Sequence, residues 1–128
     1  MLRIPGYEVL HLTGLINQKD LLAGRLTLLD RKRLEMSRAL ATNPHVLLLD
    51  EVAAGLTESE VHEVMDIVRV MKEAGVTVIW IEHIIMTMLE ATDRLMCLAG
   101  GTNIICGLPQ TVMASKAVEE VYLGVEED

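Results

Sequence analysis

This chain predicts an α/β fold built on a mostly parallel sheet with flanking helices, and three observations carry that prediction. Two dense apolar runs, "HVLLLDE" at residues 45–51 and "VTVIWIEH" at residues 76–83, are each too short to be a helix of their own. Between them Val61, Val64, Met65, Val68 and Met71 recur at helical spacing. The apolarity of both runs is continuous rather than alternating, which predicts strands covered on both faces, as in a parallel sheet. Strand, helix and strand then form one unit with a right-handed crossover.

Taken in order, residues 30–42 predict an amphipathic helix ended by Pro44, whose ring disfavours helical geometry in the residue before it. The central helix opens on a capping box, Thr57 with Glu60 three residues later, and stops at Gly75. Downstream, "DRLMCL" and "TNIICG" read as two strands around a turn at Gly100 and Gly101. Pro109 then opens a short helix and residues 117–123 make another. No internal repeat or low-complexity linker interrupts the chain, so one unit is expected.

Composition narrows the function classes. At 128 residues and 51% hydrophobic the chain can bury a core, and disorder is not expected. With Trp80, Tyr7 and Tyr122 as its whole aromatic complement, it offers no stacking platform for nucleic acid. A net charge of −8 disfavours phosphate backbones and anionic membranes. Against that background Arg25, Arg31, Lys32, Arg33 and Arg38 cluster, as a solvated helix face often does, while acid gathers at Glu119, Glu120 and Glu126 to Asp128. Cys97 and Cys106 lack a metal-ligand spacing and read as reduced, small core residues of a cytoplasmic protein. No run reaches the ~18 apolar residues of a membrane span, and the opening "MLRIPGYEVL" lacks the hydrophobic block of a signal peptide, so no lipid insertion is expected.

The chemistry centres on "VLLLDEVAAGL", residues 46–56. An apolar strand that delivers Asp50 and then Glu51 at its carboxyl end places a metal-holding carboxylate beside one that can polarise water, the pairing a nucleotide hydrolase needs. A buried strand that merely ends in polar residues would read the same way.

The neighbouring segments add order to that motif. "LTLLDRKRLE", "SRALATNP" and "VLLLDEVAAGL" in succession resemble the signature helix, Walker B strand and D-loop of ABC-type ATPases, and most of all the ATP-binding subunits of branched-chain amino-acid importers. "VTVIWIEH" resembles the strand leading to that family's switch histidine; "EATDRLMCL", "GLPQTVM" and "VEEVYLG" resemble its last strand, a G-x-P helix entrance and its carboxyl-terminal end. The resemblance covers the chain from about Gly24 onward. It implies a partial ABC ATPase domain, the carboxyl-terminal half of a P-loop NTPase fold, with residues 1–43 ending a helical subdomain and residues 44–128 carrying the rest.

The resemblance also implies roles. Asp50 would hold Mg²⁺ through water, Glu51 would be the general base or water-positioning carboxylate, and His83 would contact the γ-phosphate of ATP. Ala53, Ala54, Gly55, Leu56 and Thr57 would form the D-loop, with Thr57 where the family often has Asp or Asn and Val52 where it often has Pro. Leu26, Thr27, Leu28, Leu29 and Asp30 would stand at the signature positions, commonly L-S-G-G-Q, and reach a nucleotide held by a second ATPase subunit through a helix N-terminus and a hydroxyl. Leu28 and Leu29 place side chains where glycine permits close approach. Membrane permease subunits are the implied partners, holding the ATPase at the inner face of the plasma membrane.

No stretch matches G-x-x-x-x-G-K-[ST], because none of the nine glycines precedes a lysine. A phosphate cradle needs that loop's backbone N–H groups and lysine. In the family the P-loop strand lies between the strands of residues 76–81 and 94–98, so this chain alone is expected to expose strand edges and to be marginally stable or to associate. Two other readings stand beside a split ATPase: a non-catalytic interaction module or remnant, and a metal hydrolase using "HEVMD" at residues 62–66, which resembles H-E-x-x-H with Asp66 last.

Overall fold

The computed structural model describes residues 4–124. They fall into two compact units, divided between His83 and Ile84.

The first unit contains helix α1 (Gly6–Leu12), helix α2 (Leu28–Leu40), strand β1 (Val46–Asp50), helix α3 (Glu58–Glu73) and strand β2 (Thr77–Ile81), with single 3₁₀ turns at Ile16–Gln18 and Ala23–Arg25. β1 and β2 pair in parallel, Leu47 opposite Val78 and Leu49 opposite Trp80. The ladder starts with the Thr77 N–H donating to His45 O and closes with the Glu51 N–H donating to Ile81 O, both at 2.9 Å.

Helix α3 forms where the capping box predicts it. The Thr57 hydroxyl accepts from the Glu60 N–H, and the Glu60 carboxylate accepts from the Thr57 N–H. At its other end Gly75 takes φ 90°; its N–H donates to Lys72 O and that of Val76 to Met71 O, the paired bonds that close a helix on a glycine. The apolar stripe of α3 packs on Leu47 and Leu49 of β1, on Met36 and Leu40 of α2 and on Val9 of α1. Burying each such side chain contributes roughly 1.5–3 kcal/mol. A buried hydroxyl pair, Thr13 with Ser37 at 2.7 Å, lies in the same unit.

The second unit holds helix α4 (Ile85–Ala91), the antiparallel strands β3 (Leu95–Ala99) and β4 (Thr102–Gly107), and helices α5 (Pro109–Met113) and α6 (Lys116–Glu119), followed by a π-helical turn at Glu120–Gly124. Gly100 and Gly101 both have positive φ, as a two-residue hairpin of this hand requires. Cys97 packs with Val112 and Val118.

Three expectations need correcting. The parallel sheet is covered on one face only: Leu47 and Leu49 are buried, but Val46, Leu48, Ile79 and Ile81 are 51–71% exposed. A continuous apolar run signals two covered faces, and the helices of the first unit cover one of them. Cys106 is exposed rather than a core residue, because it sits opposite Met96 on the outer face of the β3–β4 hairpin. The helix expected at 30–42 starts two residues earlier and ends at Leu40, where Asn43 turns the chain at φ 53°. The acidic cluster Glu126 to Asp128 lies outside the described residues.

Candidate functional site

Adjacent parallel strands deliver their next residues to the same edge of a sheet. β1 ends at Asp50, which is in register with Ile81 at the end of β2, so Asp50, Glu51 and His83 emerge together at the carboxyl edge. That is the edge where open α/β sheets bind ligands. His83 Nδ1 lies 3.6 Å from Glu51 Oε1, and their side chains are 64% and 55% exposed. This separation is too long for a hydrogen bond, yet one water can touch both groups. Asp50 is exposed beside them.

Glu51 holds a left-handed backbone, φ 49°, which non-glycine residues adopt only when their surroundings impose it. Its N–H completes the ladder, its carbonyl accepts from the Ala54 N–H at 3.1 Å, and the chain turns sharply away from the strand. Gly55, at φ 78°, continues that turn. A carboxylate that follows the strand directly is thus presented outward rather than folded back on the sheet.

The loop after Glu51 is pinned by a residue to which sequence reasoning assigned no role. Glu82 is buried, and its Oε1 accepts from the Ala53 N–H at 2.9 Å and from Trp80 Nε1 at 3.2 Å. Its Oε2 accepts from the His83 N–H at 3.3 Å. The signal was available: alternation along β2 puts Val78, Trp80 and Glu82 on the inward face.

The segment 26–30 divides its labour between packing and capping. Leu26 and Leu29 are buried, Leu29 within the core, and Leu28 is exposed. A Cβ built on Gly55 would lie 3.2 Å from Leu28 Cδ2, so Leu28 closes against the loop that follows Glu51. Thr27 caps α2, its hydroxyl accepting from the Asp30 N–H at 3.1 Å. Asp30 is itself buried in the first turn and paired with Arg33 at 2.9 Å; Arg33 also pairs with Glu63. The positive end of this helix dipole therefore already faces a carboxylate of its own chain.

Of the basic cluster, Arg33 is only 16% exposed at its side chain, an ion-pair partner rather than part of a solvated face. His62 and Glu63 point outward on α3, and Asp66 pairs with Arg69 on the same helix. Among the described residues no cluster of three His, Cys, Asp or Glu side chains could hold a metal ion by itself. No helix among them is long and apolar enough to cross a membrane.

No protein-family model matches the chain. It is 35% identical over 95 residues to the lipopolysaccharide export system ATP-binding protein LptB of Haemophilus influenzae, covering 74% of this chain and 39% of that protein. It is 31% identical over 112 residues to the high-affinity branched-chain amino acid transport ATP-binding protein LivG of Salmonella typhimurium, covering 87% of this chain and 44% of that one. Among solved structures it superposes on MJ1267, an ATP-binding cassette of an ABC transporter in its ADP conformation, with a TM-score of 0.86 and 30% identity. That match covers 93% of this chain and 48% of MJ1267. The chain therefore spans about half the length of the proteins it matches.

Proposed function

We propose, for a chain that belongs to the family of ABC transporter ATP-binding subunits and spans under half the length of its curated relatives, that it supplies the hydrolytic edge of an ATPase. The phosphate cradle of that ATPase comes from polypeptide outside these 128 residues. The observation that carries the reading is the approach of Glu51 to His83 at 3.6 Å on the carboxyl edge of adjacent parallel strands. In this reading Glu51 Oε1 accepts from and orients a water and His83 Nδ1 steadies it, while Asp50 would be the carboxylate offered toward Mg²⁺ in the complete assembly.

The residues present do not make a complete site for ATP and Mg²⁺. They offer no glycine-rich cradle and no self-sufficient metal cluster among the described residues. Nucleotide and metal therefore belong to the assembly, and the role of this chain is to present Glu51, His83 and Asp50. Ala54 to Thr57 would carry contact to a second ATPase subunit, and Leu26 to Asp30 would approach the nucleotide that subunit holds. The bare sheet face of Leu48 and Ile79 supports an assembly that supplies further sheet and helix. Permease subunits would hold it at the cytoplasmic face of the membrane.

We assign its cargo to branched-chain amino acids, a reading supported by the likeness to LivG. LptB, named for lipopolysaccharide export, supports a different cargo. Stimulation of turnover in the complete transporter by leucine with its binding protein, and not by lipopolysaccharide, is the expected outcome; the reverse assigns the chain to export.

A second reading is favoured by Asp30 at the start of α2: a non-catalytic interaction module that binds no nucleotide alone. Equilibrium dialysis of labelled ATP separates the two. Binding that appears only when a polypeptide carrying G-x-x-x-x-G-K-[ST] is added supports the split ATPase. No binding in either condition leaves the module.

A further inference from the structure

Glu82 is 8% exposed and stands between the strand β2 and His83. Burying a carboxylate is costly unless its oxygens are hydrogen-bonded, and an aliphatic residue would continue the inward face of β2 beyond Val78 and Trp80 without that cost. What the carboxylate adds is a bridge. One oxygen accepts from the Ala53 N–H at 2.9 Å, two residues after Glu51; the other accepts from the His83 N–H at 3.3 Å. Trp80 Nε1, at 3.2 Å, donates to the oxygen that holds Ala53 and fixes its direction. A single side chain thus joins the backbone that carries Glu51 to the backbone that carries His83.

We propose that Glu82 is a positioning residue that sets the separation of Glu51 and His83 by clamping the Ala53 and His83 amides. The Glu51 backbone is held in a left-handed conformation, φ 49°, which needs imposed restraint. The Glu51 N–H to Ile81 O bond restrains the near side of that residue, and the Ala53 clamp restrains the far side. With the clamp removed, the loop of residues 51–56 relaxes while the helix-packed face of the sheet stays intact. The consequence for hydrolysis rests on the ATPase reading above; the clamp itself does not.

The test is amide hydrogen exchange on the full chain with Glu82→Ala and Glu82→Gln. In Glu82→Ala the Ala53 and His83 amides exchange at least about tenfold faster, the factor matching ~1.4 kcal/mol of lost protection, with Val64 and Val68 in α3 unchanged. In Glu82→Gln the retained carbonyl oxygen keeps Ala53 within about threefold of the parent, while His83 loses its acceptor and exchanges faster. Unchanged Ala53 and His83 rates in both variants overturn the proposal. If Glu82→Ala accelerates every amide, the Gln variant decides: His83 alone faster supports the clamp, and no change refutes it. In an assembly that hydrolyses ATP, Glu82→Gln lowers kcat and leaves KM within about twofold, because Glu82 touches no nucleotide. A raised KM with unchanged kcat contradicts the assignment. An assembly whose parent form hydrolyses nothing defeats the ATPase reading and leaves the clamp to the exchange result.

Discussion

Glu51 pairs a strained backbone with an exposed carboxylate, and the two can be separated by substitution. A left-handed backbone costs a non-glycine residue roughly 1–2 kcal/mol, which glycine does not bear. Glu51→Gly is therefore expected to leave the unfolding free energy from urea titration equal or higher, by up to ~1 kcal/mol, while removing the carboxylate from the edge that His83 faces. A loss of stability would show that the Glu51 side chain, not its φ, decides the local fold. Thr57 tests the same scale at the opposite end of the loop. Its hydroxyl caps α3 by accepting from the Glu60 N–H, and Thr57→Ala should cost about 1 kcal/mol in the same titration. At this scale the placement of Asp50, Glu51 and His83 at one sheet edge was legible in the sequence, because a strand end presents its next residues outward. It did not reveal that Leu28 would rest against Gly55 or that Arg33 of α2 would pair with Glu63 of α3. Those are tertiary facts with no local pattern.

The β1–β2 sheet is the element whose sequence asks for more than the fold provides. Leu47 and Leu49 are 5% exposed against the helices, while Leu48 and Ile79, directly opposite each other in register, are 71% and 54% exposed. Leu48→Thr with Ile79→Thr keeps strand propensity and removes apolar surface. Size-exclusion chromatography with light scattering should show the parent chain associating and the double variant shifted toward monomer, with stability within about 1 kcal/mol of the parent. A loss above ~2 kcal/mol would mean this face packs inside the chain. Much of the remaining architecture was legible. The capping box and Gly75 bound α3, and two glycines turn the β3–β4 hairpin. Helix α1 was not anticipated: its seven residues "GYEVLHL" show too little of a 3.6-residue period. Nor was α4, because "IMTMLEA" is apolar on most of its faces and shows no stripe. Continuous apolarity in the strands predicts two covered faces, and the helices of the first unit bury one.

At the scale of the whole molecule, the matched relatives are more than twice as long as the segment this chain aligns with, and the segment carries Glu51 and His83 at one sheet edge with no G-x-x-x-x-G-K-[ST] loop in its sequence. In the proposed split ATPase, an exposed Glu51–His83 pair and an uncovered sheet face would both meet the polypeptide that holds phosphate. The measurement that tests this most directly is phosphate release from ATP by the chain mixed with a polypeptide carrying a G-x-x-x-x-G-K-[ST] loop from the amino-terminal part of an ABC cassette. Turnover is predicted only when both are present, and Glu51→Gln in this chain should reduce it by about 100-fold or more, the scale on which a positioned general base contributes. Turnover by the loop-bearing polypeptide alone, or a mixture unaffected by Glu51→Gln, would contradict the account.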